Sequence, residues 1–260
     1  MRTTSTLLVF VTSLAACNTA SHVSSDAQPS ASVVTASGNI QSAVDSYRAL
    51  LGPDNGGTPV AHTTGRREIN WDKVPDDKAA PNFLPGDFFN ATAAPRARGA
   101  LLSTPGKGLQ ASAAKSNASA TPAAFGHINA SYSKIFRTFS EERLFSPIGS
   151  NVVDLQFRVP GTNTPAVVRG FGAVYADVDT THTAFEYFDI QGRSLGRFAV
   201  PIADNGLSFL GVAFPEPIVA RVRIEYGTVA LGPDDSPEND VAVMDDFIYG
   251  EPQAVNANCP

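Results

Sequence analysis

Between residues 152 and 250 the chain runs in short apolar bursts cut by Gly, Pro, Asn and Asp, a rhythm that restricts it to a β fold. Val153, Leu155, Phe157 and Val159 alternate with Asp154, Gln156 and Arg158, the period of a strand with one buried face. Ile218, Ala220, Val222, Ile224 and Tyr226 alternate in the same way with Val219, Arg221, Arg223 and Glu225. Residues 167–178 and 207–214 are apolar on both faces and predict central strands. Between the runs stand Pro160-Gly-Thr-Asn163, Gln191-Gly192 and Asp204-Asn-Gly206, all residue types that make tight turns. Seven or more such strands without intervening helices predict an all-β fold, a jelly-roll-like β-sandwich. In this topology residues 66–72 join the later strands in one sheet.

The residues before the strand run divide the chain further. Met1-Arg2, the apolar Leu7-Leu-Val-Phe-Val11 and Leu14-Ala-Ala-Cys17 have the layout of a secretory signal. The last four match a lipobox, which predicts cleavage after residue 16 and a diacylglycerol on the Cys17 sulfur. Acyl chains hold a protein to a bilayer at about 0.8 kcal/mol per buried methylene. Asn18, not Asp, follows, which by the enterobacterial sorting rule points to the outer membrane or cell surface. Residues 17–36 are rich in Ser, Thr and Ala and predict a lipidated Cys on a flexible tether. The sandwich is expected over 37–252, with a C-terminal tail at 253–260. Cys259 has no intramolecular partner once Cys17 is acylated, so no disulfide is expected.

Ile40, Val44, Tyr47 and Leu51 are spaced as one stripe of a short N-terminal helix, capped by Ser37 or Asn39, stopped at Gly52-Pro53 and placed over an edge or end of the sheet. Trp71, the sole tryptophan, is expected in the core, with Ile69 on the same side of a strand. A strand pair is expected at 99–103 and 108–113, an exposed loop at 114–124, and a connection wrapping the sandwich end at 125–145.

Charge narrows the partners. The net charge is −6, and loss of a leader carrying only Arg2 takes it to −7. With no Lys/Arg cluster in the sequence, nucleic acid is not an expected partner, and membrane contact is expected through the lipid alone. No apolar run reaches transmembrane length.

The one arrangement of residues that demands an explanation is Asp245-Asp246, inside the otherwise apolar Val241–Tyr249. Adjacent strand residues point to opposite faces. If both faces are apolar, at least one carboxylate is buried and needs a cation or several donors. Calcium suits carboxylate oxygens gathered from separate strands, as a structural ion. Glu68 and Asp72, or Asp177 and Asp179, are the candidates to complete such a shell. An arginine such as Arg66 or Arg67, or open solvent, would serve as well. The loop at 232–240 holds four carboxylates without EF-hand spacing and reads as a solvated acidic loop. His22, His62, His127 and His182 are scattered, and no nucleophile elbow or phosphate loop is present.

The strings Gly65-Arg-Arg-Glu-Ile-Asn-Trp-Asp72, Leu144-Phe-Ser-Pro-Ile-Gly-Ser150, Val159-Pro-Gly-Thr162, Gly170-Phe-Gly-Ala-Val174, Leu207-Ser-Phe-Leu-Gly211 and Met244-Asp-Asp-Phe-Ile-Tyr-Gly-Glu-Pro252 resemble a family of secreted bacterial proteins of unknown function, many with a PEP-CTERM sorting tail. The resemblance covers most of residues 38–252 and implies an extracytoplasmic β-sandwich associated with a surface or matrix. It brings no catalytic residues. The sequence shows no such tail before Pro260 and has a lipobox instead, so lipid is expected to replace the tail as the attachment. Together these features predict a lipid-anchored, noncatalytic binding or structural module for a polysaccharide or surface matrix. The alternatives are an extracellular hydrolase acting through paired carboxylates and a self-assembling surface component.

Overall fold

The computed structural model describes residues 29–236 and 238–255. The expected signal segment, Cys17 and Cys259 lie outside the described residues.

The first half of the chain supplies β1 (Ser32–Ser37), helix α1 (Gln41–Leu51), β2 (Arg66–Ile69), β3 (Ala100–Ser103), β4 (Gly108–Ala111), the single-turn helix α2 (Tyr132–Ile135) and β5 (Phe145–Ile148). The strand run follows as β6 (Val152–Arg158), β7 (Pro165–Val167), β8 (Gly170–Val178), β9 (Ala184–Phe188), β10 (Ser194–Ala199) and β11 (Ala203–Ala213). It closes with β12 (Arg221–Glu225), β13 (Val243–Gly250) and β14 (Gln253–Ala254). All strand pairings between these elements are antiparallel.

One sheet has the order β1-β11-β8-β13-β5-β4, with β2 also on β13, and the other has β10-β9-β12-β6-β7-β14, with β3 on β6. The chain fills the inner quartets β5-β13-β8-β11 and β6-β12-β9-β10 by passing from one layer to the other, except at the consecutive pair β9 and β10, the connectivity of a jelly roll. As the sequence predicts, β2 joins the later strands, its Ile69 opposite Phe247. The strand expected over 66–72 stops at Ile69, however, and Trp71–Lys73 is a 3₁₀ turn capped by the Asn70 side chain.

The alternating residues of β6 alternate in burial, and its odd-numbered Val153, Leu155 and Phe157 enter the core between the sheets. In that core Trp71 stacks on Phe145 at 4.1 Å between ring centres and meets Phe89 and Phe247 edge-on. Strands β8 and β13 are buried at every position, because the outer face of their sheet is also covered. Helix α1 covers one part, packing Val44, Tyr47 and Leu51 against Val174, Phe209 and Ile248. Phe125, Tyr132 and Phe136 cover the rest, against Ala176, Val241 and Val243.

Several expectations need correction. The tether was expected to reach residue 36, but Ser32–Ser37 pairs with β11 along its whole length, because backbone pairing does not require bulky side chains. Helix α1 lies over a sheet face, not an edge. Its N-cap position is Ile40, without a side-chain hydrogen bond, while Asn39, one residue earlier, accepts the Gln41 N–H on its Oδ1 at 3.4 Å. β3 and β4 do not pair with each other; β3 joins β6 in one sheet and β4 joins β5 in the other. The segment 125–145 covers an outer face and contributes β5. The first two residues of the expected tail, Gln253 and Ala254, pair in the sheet opposite Val167 and Ala166. Asp204-Asn-Gly206 lies within β11 as a bulge, where four steps from Ala203 to Leu207 oppose two from Val178 to Ala176.

Candidate metal centre

That bulge builds an acidic cluster. Asp177 sits at the end of β8 with φ 66°, Asp179 just beyond it, and Asp204 faces them from the bulge in β11. Carboxylate oxygens of the three lie within 4.8 Å of one another and could hold a metal ion. Asp177 is only 2% exposed. Its Oδ1 accepts the Asn205 backbone N–H at 2.7 Å, while its buried Oδ2 has no donor among the described residues, nor has Oδ1 of Asp179. Buried polar oxygens are rarely left in this state.

The electrostatics agree. Burial, together with the charges of Asp179, Asp235 and Asp204, pushes Asp177 up to about 7. Burial and the charges of Asp240, Asp204 and Asp235 push Asp179 up to about 6. Asp235 is raised as well, by burial first and then by Asp240. Asp235 and Asp240 belong to the loop at 232–240, which therefore faces the cluster instead of standing free in solvent. Asp240 accepts from the Thr180 backbone N–H and hydroxyl and so fixes the turn that carries Asp179. Among the described residues no lysine or arginine forms a salt bridge with these aspartates.

The Asp245-Asp246 pair is a separate arrangement. Met244 and Phe247 both enter the core between the sheets. Three steps separate them, against two from Tyr175 to Ala173 on β8, so β13 carries a bulge at Asp245-Asp246. The expectation of opposite faces fails for this reason: the extra residue lets both carboxyls converge on the Ser140 hydroxyl, at 3.1 and 2.8 Å. Asp245 Oδ2 also accepts the backbone N–H groups of Phe139 and Ser140. Burial first, and the Asp246 charge second, push Asp245 up to about 8. Asp246 is raised by burial too, against the pull of Ser140 and Arg48. Both carboxyls are thus raised by burial, the direction that favours a protonated carboxyl over a buried charge.

The remaining expected ligands are engaged elsewhere. Glu68 takes both the Nε and Nη2 of Arg48, at 2.9 and 2.7 Å, and Arg66 at 2.6 Å. Burial alone would raise its pKa, but these two guanidiniums outweigh it and hold it low. Arg48 also stands 3.6 Å from Asp246, so Glu68 belongs to the carboxyl-pair network as a counter-charge. Asp72 accepts the Arg143 backbone N–H at 2.8 Å. Arg67, considered as a partner for the Asp pair, instead grips Glu251 with two bonds of 2.8 Å. Of the six residues singled out in the sequence, only Asp177 and Asp179 meet in a cluster suited to an ion. Asp204 was missed because Asp-Asn-Gly signals a turn before it signals a ligand.

No protein-family model, curated protein or solved structure matches the chain. Among the described residues no helix is long and apolar enough to cross a membrane.

Proposed function

We propose that the protein is a lipid-anchored, extracytoplasmic, noncatalytic binding module whose sandwich is clamped by a structural Ca2+ at Asp177, Asp179 and Asp204. The observation that carries this reading is the pair of buried carboxylate oxygens without donors, on Asp177 and Asp179. An all-oxygen, all-carboxylate site favours a hard cation, and calcium accepts irregular sets of six to eight oxygens. The ion would join the end of β8, the bulge of β11 and the loop at 232–240, three segments that otherwise repel one another. The lipid anchor is supported by Leu14-Ala-Ala-Cys17, and the extracytoplasmic setting by the leader and by the resemblance to secreted sandwich proteins.

Calcium titration calorimetry on the full chain should give one site per molecule, abolished by Asp177→Asn. Absence of calcium heat in the unaltered protein would reject the site. For the anchor, the protein expressed in a bacterial host should partition into the detergent phase of a Triton X-114 separation, and Cys17→Ser should move it to the aqueous phase. Unchanged partitioning in that variant would reject lipidation. A hydrolytic reading of Asp245 and Asp246 would need residues 139–140 to lift away, since these carboxyls are 0% and 4% exposed.

A further inference from the structure

The sequence has no Lys/Arg cluster, yet the fold makes one. Two 3₁₀ turns, Trp71–Lys73 and Asp76–Lys78, form one wall of an open cleft of about 750 Å³, and the segment 88–98 forms the other. Lys73 and Lys78 line it from the first wall, Arg96 and Arg98 from the second, against only Asp72 and Asp77. That is a local excess of two positive charges on a protein of net charge −6.

Pairing leaves that excess unchanged. Asp77 and Lys78 neutralise one another at 3.1 Å, and Lys73, Arg96 and Arg98 remain against Asp72, whose charge its bond to a backbone N–H leaves in place. Lys73 is exposed without a carboxylate partner. Arg96, also exposed, lies with its guanidinium 4.6 Å over the Phe88 ring and has no carboxylate partner either. Arg98 donates to the Glu68 backbone carbonyl, which leaves its charge unneutralised.

The walls are fixed to the core. Phe88 meets Phe89 edge-on at 5.0 Å, and Phe89 meets Trp71 edge-on at 5.5 Å. The Arg98 N–H donates to the Phe89 carbonyl at 3.0 Å, closing the 88–98 loop. Contact with the Phe88 ring restrains the Arg96 guanidinium, a group that binds carboxylate or sulfate with two bonds.

From this cleft we infer that the protein binds an acidic polysaccharide, with uronate carboxylates or sulfate esters seated between Lys73 and Arg96. The inference names the ligand class of the binding module proposed above and rests on that reading. Phe88 and Phe89 are 7% and 6% exposed, so no aromatic face is open to stack a nucleobase. The dense phosphates of nucleic acid would also meet the acidic remainder of the protein, whereas the sparser charges of a sugar polymer can be met singly.

Affinity electrophoresis of the full chain, with calcium present, in gels containing hyaluronate, dextran sulfate or neutral dextran tests this. Retardation should appear with an acidic polymer, weaken with salt and be absent with dextran. Lys73→Ala with Arg96→Ala should raise the dissociation constant at least about tenfold by removing two charge-assisted contacts. Both residues are exposed, so the double variant should keep the calcium response of the parent. No retardation by either acidic polymer, equal retardation by dextran, undiminished binding by the double variant, or capture by anionic vesicles alone would each overturn the inference. Failure here with calcium binding intact would leave the metal site standing.

Discussion

At Asp245 and Asp246 the residue identities demanded an explanation that only the backbone could provide. The sequence shows two carboxylates in an apolar strand, and a buried negative charge was legible from that alone. The bulge that puts both on one face was not, because the inserted residue is defined by the register of β8, seventy positions upstream. Arg48 was equally hidden, since it reaches the pair from a helix nearly two hundred residues earlier. The resulting pH dependence has a definite sign. Asp245 lies well above the ordinary carboxylate range, so the stabilisation from its proton is complete at acid pH and is lost as pH rises toward and through about 8. Asn at this position can keep the acceptor for Phe139 and a donor toward Asp246 without ionising. With calcium saturating, Asp245→Asn should therefore match the parent in urea at pH 5 and exceed it by about 1–3 kcal/mol at pH 9. A variant weaker than the parent at pH 9 would show that the ionised pair is favourable.

Arg67 makes the complementary case, a buried charge that is fully met. It has no exposure, pairs with Glu251, and donates to the carbonyls of Gly56, Thr58, Val60 and Ala97. These bonds fix the 56–60 loop to β2, which the sequence shows only as one of two adjacent arginines.

At the scale of elements, α1 depends on glycines in the strands beneath it. Tyr47 lies on Gly172 and Gly211, and its hydroxyl donates to the Val212 carbonyl at 2.9 Å. A Cβ on Gly211 would come within 2.6 Å of the Tyr47 ring, and one on Gly172 within 2.8 Å of it and 2.7 Å of the Gly211 backbone. The apolar stripe of α1 was legible in the sequence. Its floor was not, since a glycine in a strand is as easily read as a bulge or a weak point. Gly211→Ala should cost about 1–3 kcal/mol in urea unfolding by overpacking this contact. If the collision with Tyr47 is the cause, the same change should cost less in a Tyr47→Leu background. Equal costs in the two backgrounds would place the strain elsewhere. Strands β3 and β4 teach the same lesson: their residues predict strands, but pairing is decided by β6 and β5, which lie farther along the chain.

For the whole molecule, the β-sandwich was legible because its strands carry a period of two, end in turn residues and follow one another from residue 152 without an intervening helix. The runs apolar on both faces at 167–178 and 207–214 predict central strands, and β8 and β11 are interior strands of their sheet, with α1 and the 125–136 segment over its outer face. The charge distribution was not legible. A chain of net charge −6 brings three aspartates together at Asp177 and four bases round one cleft, and neither grouping is contiguous in sequence.

The metal site links these scales, because an ion at Asp177 would hold together three segments from different parts of the fold. Without metal, Asp177 and Asp179 sit at about 7 and about 6, above ordinary carboxylates, so their protons stabilise the fold at acid pH and that contribution is lost as pH rises to 7. Calcium needs the ionised form, so its stabilisation should grow over the same interval. The deciding measurement is thermal unfolding of the full chain at pH 5 and pH 8, with calcium and with chelator. At pH 8 calcium at a hundredfold excess over its dissociation constant should add about 2.7 kcal/mol, a rise of a few degrees, with a smaller gain at pH 5 and none in Asp177→Asn. Identical midpoints with calcium and chelator at pH 8 would contradict the account.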